Sequence, residues 1–222
     1  MVFQFFKGGD STIDEVETTL VQMVLDGRDV FDTAMEALFG GGTSKETKQE
    51  LKSTDRGINT AQRDVRRELM IHASLHDTVD LPLVLAYMST VKDVERIGDY
   101  SKNFYDLVKY GADFENAPDR DELADYRDRV STLLCDAAAT FKARDTDRAR
   151  ELIAKADAFL DDYDTRVKVA YQSTGTPSDA VSRALYYRFL KRITAHVMNF
   201  LTSMVLPVDR LDYYDEAKDD RE

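Results

Sequence analysis

Among 222 residues there is a single cysteine, Cys135, which excludes an intramolecular disulfide and suits a reducing, cytoplasmic setting. Glycine and proline are scarce, at 10 and 4, whereas an all-β sandwich or barrel needs many turn formers. Positive charge is in deficit. With 30 Lys and Arg against 42 Asp and Glu, the net charge is −12 and the pI about 4.8. No basic stripe is available to hold a phosphodiester backbone, so nucleic acid is excluded as a partner. Long apolar runs are missing too. The segment Met1-Val2-Phe3-Gln4-Phe5-Phe6-Lys7 is too short for a signal peptide or a span, and Lys191, Arg192 and His196 interrupt the run from Phe189 to Leu206.

Catalytic signatures are also lacking. There is no phosphate-cradling glycine loop, nucleophile elbow or Ser-His-Asp constellation, and no Glu-x-x-His motif of the di-iron bundles. Gly40-Gly41-Gly42 follows a helical run and reads as a stop signal. The chain is therefore not expected to be an enzyme.

What is present is helical periodicity. A chain 43% hydrophobic and 32% charged is globular, and its Asp over Glu and Arg over Lys bias suits a salt-loving organism. Ser11 is a candidate N-cap, followed by Ile13, Val16, Leu20, Met23 and Val24 at helical spacing. A second helix is expected from Thr43 or Ser44 to about Ala73, and a third from Asp80-Leu81-Pro82 to Lys109. A fourth should run from Pro118 to Arg144, a fifth from an Asp145 cap to Gln172, and a sixth from Asp179 to Leu206. Arg96-Ile97 matches Arg192-Ile193 and Asn103-Phe104 matches Asn199-Phe200, both 96 positions apart. This points to internal duplication. The fold expected is all-α, two tandem three-helix bundles over 11–112 and 117–214. A Phe-containing segment at 1–10 and a frayed tail at 215–222 flank them. The three Phe of the first segment either dock on the bundle or touch a membrane or membrane protein.

The chemistry lies in side chains four apart. Glu95 and Asp99 on the third helix share one face, as do Asp55 and Asn59 on the second and Asp157 and Asp161 on the fifth. Each follows a seam position, so the pairs flank the buried stripe alike and can converge into an acidic patch. Like charges at this spacing cost an isolated helix roughly 0.2–0.5 kcal/mol, which a hard cation such as Mg, Ca, Mn or ferric iron would offset. The alternative is a solvated acidic face. Gly98 costs its helix about 1 kcal/mol relative to Ala, a sign of close approach by a neighbouring helix or ligand. Arg96 either braces a carboxylate or is a surface charge. Cys135 is expected to fill the core, His72 and His76 to favour a helix C-terminus, and His196 to pack.

Asp93-Val94-Glu95-Arg96-Ile97-Gly98-Asp99-Tyr100, with Asn103 following, resembles the ERIGD-type signature of PhoU proteins, regulators of phosphate uptake. The resemblance extends to Ser53-Thr54-Asp55-Arg56-Gly57-Ile58-Asn59 and the Asp80-Leu81 helix start. Here it would be to an acidic, archaeal-like member. It implies two three-helix bundles and a multinuclear metal cluster on the surface, iron first, with Mg, Mn, Ca and Zn as other candidates. It implies as partners the ATPase or permease component of a phosphate transporter and a sensor kinase where one exists. Peripheral membrane association through them and a homodimer are also expected. Asn59 stands where a second acid is usual, and Lys191 and Ala195 replace the acids of the sixth helix. The cluster is therefore expected at Asp55, Asn59, Glu95 and Asp99, and weaker at Asp157 and Asp161, with Lys191 neutralising that second pair. Two other functions fit: an accessory subunit of a phosphate or related permease, and a carboxylate-bridged metal or redox protein.

Overall fold

Apolar periodicity, broken by glycine and by capping residues, resolves into six helices in the computed structural model, which describes residues 11–75, 81–211 and 214. They are α1 (Ser11–Glu36), α2 (Lys45–Leu75), α3 (Leu81–Lys109), α4 (Arg120–Ala143), α5 (Thr146–Tyr171) and α6 (Pro177–Val205). The Phe-containing segment, His76, Asp77, Asp80 and the 215–222 tail lie outside the described residues. None of the described helices is long and apolar enough to cross a membrane.

Local chemistry sets the ends. α1 passes into one π-turn, Ala37–Gly41, where Gly40 (φ 119°) and Gly42 (φ 64°) take backbone angles that side chains resist. Asp145 accepts a hydrogen bond from the Arg148 N–H at 2.9 Å, capping α5 as its sequence position implies. Thr176 caps α6 and Pro177 occupies its first turn, two residues before the Asp179 start expected above. The fourth helix ends at Arg144, a non-glycine residue at φ 52°. Its guanidinium is held by the almost buried Glu17, at 2.6 and 3.0 Å, and by Asp14 at 2.7 Å. The other Glu17 oxygen accepts from the Tyr87 hydroxyl at 2.6 Å. A backbone corner of strained geometry is thus tied to α1 and α3.

Within each half the three helices pack on one another, and the halves join through α3 against α6 and α1 against α4. α3 and α6 are both 29 residues long, and their bounds differ by 96 positions at each end. The residues matched by that spacing, Ile97 with Ile193 and Phe104 with Phe200, are all fully buried. α6 lies centrally, every residue from 193 to 204 being buried, which explains its apolar composition. α2 instead buries a narrow stripe, Leu51, Ile58, Val65, Leu69 and His72, so the rest of its surface is polar. Phe104 packs edge-on against Phe31 of α1 and, across the junction, against Tyr186 and Phe189 of α6, at 5.5–5.6 Å. Phe141 stacks on Phe200 at 4.4 Å.

Cys135 does not fill this core. It is exposed on α4, beside a groove between α1 and α4 of about 570 Å³ lined by Val21, Leu25, Ala138 and Phe141. Its helical run has two apolar flanks, and Leu133 and Leu134 take the buried positions.

Candidate functional site

The motif glycine has a defined job. A Cβ on Gly98 would lie 2.8 Å from Cδ1 of Ile58, well inside van der Waals contact. α2 therefore crosses α3 at a point where only glycine fits undisturbed. Gly27 of α1 is nearly as close to α3, its notional Cβ 3.0 Å from Cγ2 of Ile97. The three helices of the first half converge on one turn of α3, Ile97-Gly98, flanked by Glu95 and Asp99.

This convergence sets Asp55 of α2 beside Asp99 of α3. Between them stands Lys102, whose Nζ donates to Asp99 Oδ1 at 2.6 Å and to Asp55 Oδ1 at 2.9 Å. Burial pulls the Lys102 pKa down, but hydrogen bonds to the two carboxylates more than offset it, and the net shift is upward. The half-buried Glu95 lies one turn earlier. Its carboxyl is pushed above the usual range by burial, then by the charges of Asp99 and Asp55, against the opposing pull of Lys102 and Arg96. Asn59 turns inward on its own helix, its Nδ2 donating to the Asp55 carbonyl at 2.9 Å.

In the second half, Asp157 and Asp161 line α5 near the buried Ala156 and Leu160. Lys191 pairs with Asp164 at 2.5 Å, three residues beyond Asp161. His196 is buried among polar partners: Nδ1 meets Asp93 Oδ1 at 2.7 Å, and its ring stacks on Tyr100 at 5.6 Å. Asn199 also donates to Asp93, at 3.2 Å. The first motif residue thus faces the opposite way from Glu95, into the junction with α6. His72 is buried in the last turn of α2.

A family model for the PhoU domain matches residues 20–108, the span from α1 to the end of α3 that holds this site. The chain is 26% identical over 196 residues to the "phosphate-specific transport system accessory protein PhoU homolog" of Synechocystis, covering 86% of each chain. Residues 20–108 thus match the PhoU domain, and the chain as a whole is similar to a PhoU homologue. Its fold is shared with the PhoU crystal structures from Streptococcus pneumoniae (TM-score 0.76, 19% identity, 91% of this chain and 96% of that one) and Pseudomonas aeruginosa (TM-score 0.73, 22% identity, 91% and 97%). The PhoU signature in this chain is therefore both a packing device and an acidic surface. Ile97 and Gly98 build the helix crossing, and Glu95, Asp99 and Asp55 form the surface beside it.

The donor set does not fit the metal cluster that the PhoU resemblance implies. Among the described residues, no three His, Cys, Asp or Glu side chains converge to hold a metal ion. The point nearest to both Asp55 and Asp99 is taken by an ammonium group, and Asn59 directs its amide at backbone. Lys102 was not among the sequence candidates. The signal was legible: it lies three residues after Asp99 and seven after Glu95, on the same helix face.

Proposed function

We propose that this chain is a PhoU-family member, a non-enzymatic, cytoplasmic regulator that restrains phosphate uptake or phosphate-starvation signalling by docking on transporter components. The observation that carries this reading is the match along most of its length to a phosphate-transport accessory protein, shared fold included. The docking partners are the ATPase or permease component of a phosphate transporter, or a sensor kinase where present. A surface suited to a membrane-borne partner lies at one end of the first bundle. There Met70, Ile71 and Leu75 of α2 and Leu81 and Leu85 of α3 are exposed, apolar groups that a docked partner would cover.

The name of the Synechocystis relative favours an accessory role in a transport system, and the two readings differ in residence. A regulator exchanges between free and docked states; an accessory subunit stays with the transporter. Affinity purification of the tagged chain from its own cells, grown with high or low phosphate, separates them. Recovery of a phosphate-transport ATPase or permease that changes with phosphate supply supports regulation, and constant recovery supports a subunit. Recovery of neither at any phosphate level contradicts both.

A further inference from the structure

We propose that Lys102 is a built-in counter-ion that occupies the metal position of the first-repeat acidic patch, so that the patch holds together without a metal. This inference is independent of the regulatory reading above. Three observations carry it. The Lys102 Nζ contacts Asp55 of α2 and Asp99 of α3 at 2.9 and 2.6 Å, bridging two helices as a divalent cation would. The bridge is positioned by the Gly98–Ile58 crossing, which brings α2 close enough for one ammonium to reach both carboxylates. The second half repeats the device in a different place: Lys191, aligned with Glu95 by the 96-residue spacing, bridges α6 to Asp164 of α5 at 2.5 Å. In each half a lysine takes the charge compensation between a helix pair.

The chemistry favours the tethered ion. A lysine reaches its partners along its own chain and loses only side-chain freedom. A free hard cation must shed water and find several oxygen ligands. Asp55 and Asp99 each offer one oxygen to the ammonium, and Glu95, one turn before Asp99, lies within the field of both carboxylates. Removing the lysine charge should therefore open a carboxylate site for a hard divalent ion where the native protein has none.

The test uses the full chain as wild type, Lys102→Ala, and the double variant Lys102→Ala with Asp99→Asn, each titrated with Mn²⁺ by calorimetry. Iron is measured on the purified wild type and on Asp99→Asn by elemental analysis. Circular dichroism confirms that helicity is unchanged. Expected is no iron or Mn²⁺ in the wild type that depends on Asp99. Lys102→Ala should gain Mn²⁺ affinity by roughly tenfold or more, the gain disappearing in the double variant. Iron or Mn²⁺ bound by the wild type and lost on Asp99→Asn would overturn the proposal, as would an absence of any gain in Lys102→Ala.

Discussion

The crossing of α2 over Gly98 can be tested by a substitution whose sign depends on a neighbour. Gly98→Ala improves helix propensity by about 1 kcal/mol, but its Cβ would sit 2.8 Å from Cδ1 of Ile58, a side chain only 1% exposed. Overpacking of this kind costs about 1–3 kcal/mol, so the net effect should be a loss of about 0–2 kcal/mol. Ile58→Val deletes the offending methyl and alone should cost about 0.5–1.5 kcal/mol. In that background the nearest Ile58-derived atom is Cγ2, at 3.9 Å from the new Cβ, an ordinary contact. Gly98→Ala should then stabilise, by up to about 1 kcal/mol. Urea unfolding of the four proteins, followed by circular dichroism, gives the coupling directly. It should be about 1–3 kcal/mol, with m unchanged. Additive substitutions would refute the close crossing, and so would a stabilising Gly98→Ala in the wild-type background.

Two further outcomes follow from individual side chains. Glu95 has a folded pKa above its unfolded value, so the fold binds a proton more readily than the unfolded chain, and its contribution to stability falls as pH rises through that window. Glu95→Gln should therefore stabilise at pH 7 by about 0.2–0.5 kcal/mol, the scale of an i,i+4 like-charge pair. The gain should vanish below about pH 4; thermal melts at the two pH values check this, and destabilisation at pH 7 would contradict it. Cys135, being exposed, should react with a thiol reagent such as Ellman's reagent in the native protein as fast as after denaturation. Protection in the native state would place it back in the core.

Much of the fold was legible because its signals are local. The Asp145 cap, the glycine stop after α1 and the periodic apolar positions each act within a turn or two, and the helix ends fell within about two residues of expectation. The repeat was legible through Ile97 and Phe104, matched by Ile193 and Phe200, because core positions at a helix junction tolerate little change of shape. The site was legible only in part. Glu95, Asp99 and Asp55 do share one surface, since flanking positions of antiparallel helices must meet. Spacing sets Lys102 on the Glu95–Asp99 face, but its reach to Asp55 on the neighbouring helix is a tertiary contact that spacing does not encode. Lys191 illustrates the same point in its pairing with Asp164 of α5. Cys135 was misplaced because its helical run has two apolar flanks, and sequence alone does not say which one turns inward. The left-handed Arg144 would have been expected to be glycine; contacts with Glu17 and Asp14, more than a hundred residues away, hold it there.

The most direct test of the regulatory reading is the rate of phosphate uptake, measured with labelled phosphate at high external phosphate, in cells with and without this chain. Uptake should rise when the chain is removed and return to its restrained level when the wild-type chain is restored. Uptake that is unchanged by removal, or that falls, would contradict the regulatory reading.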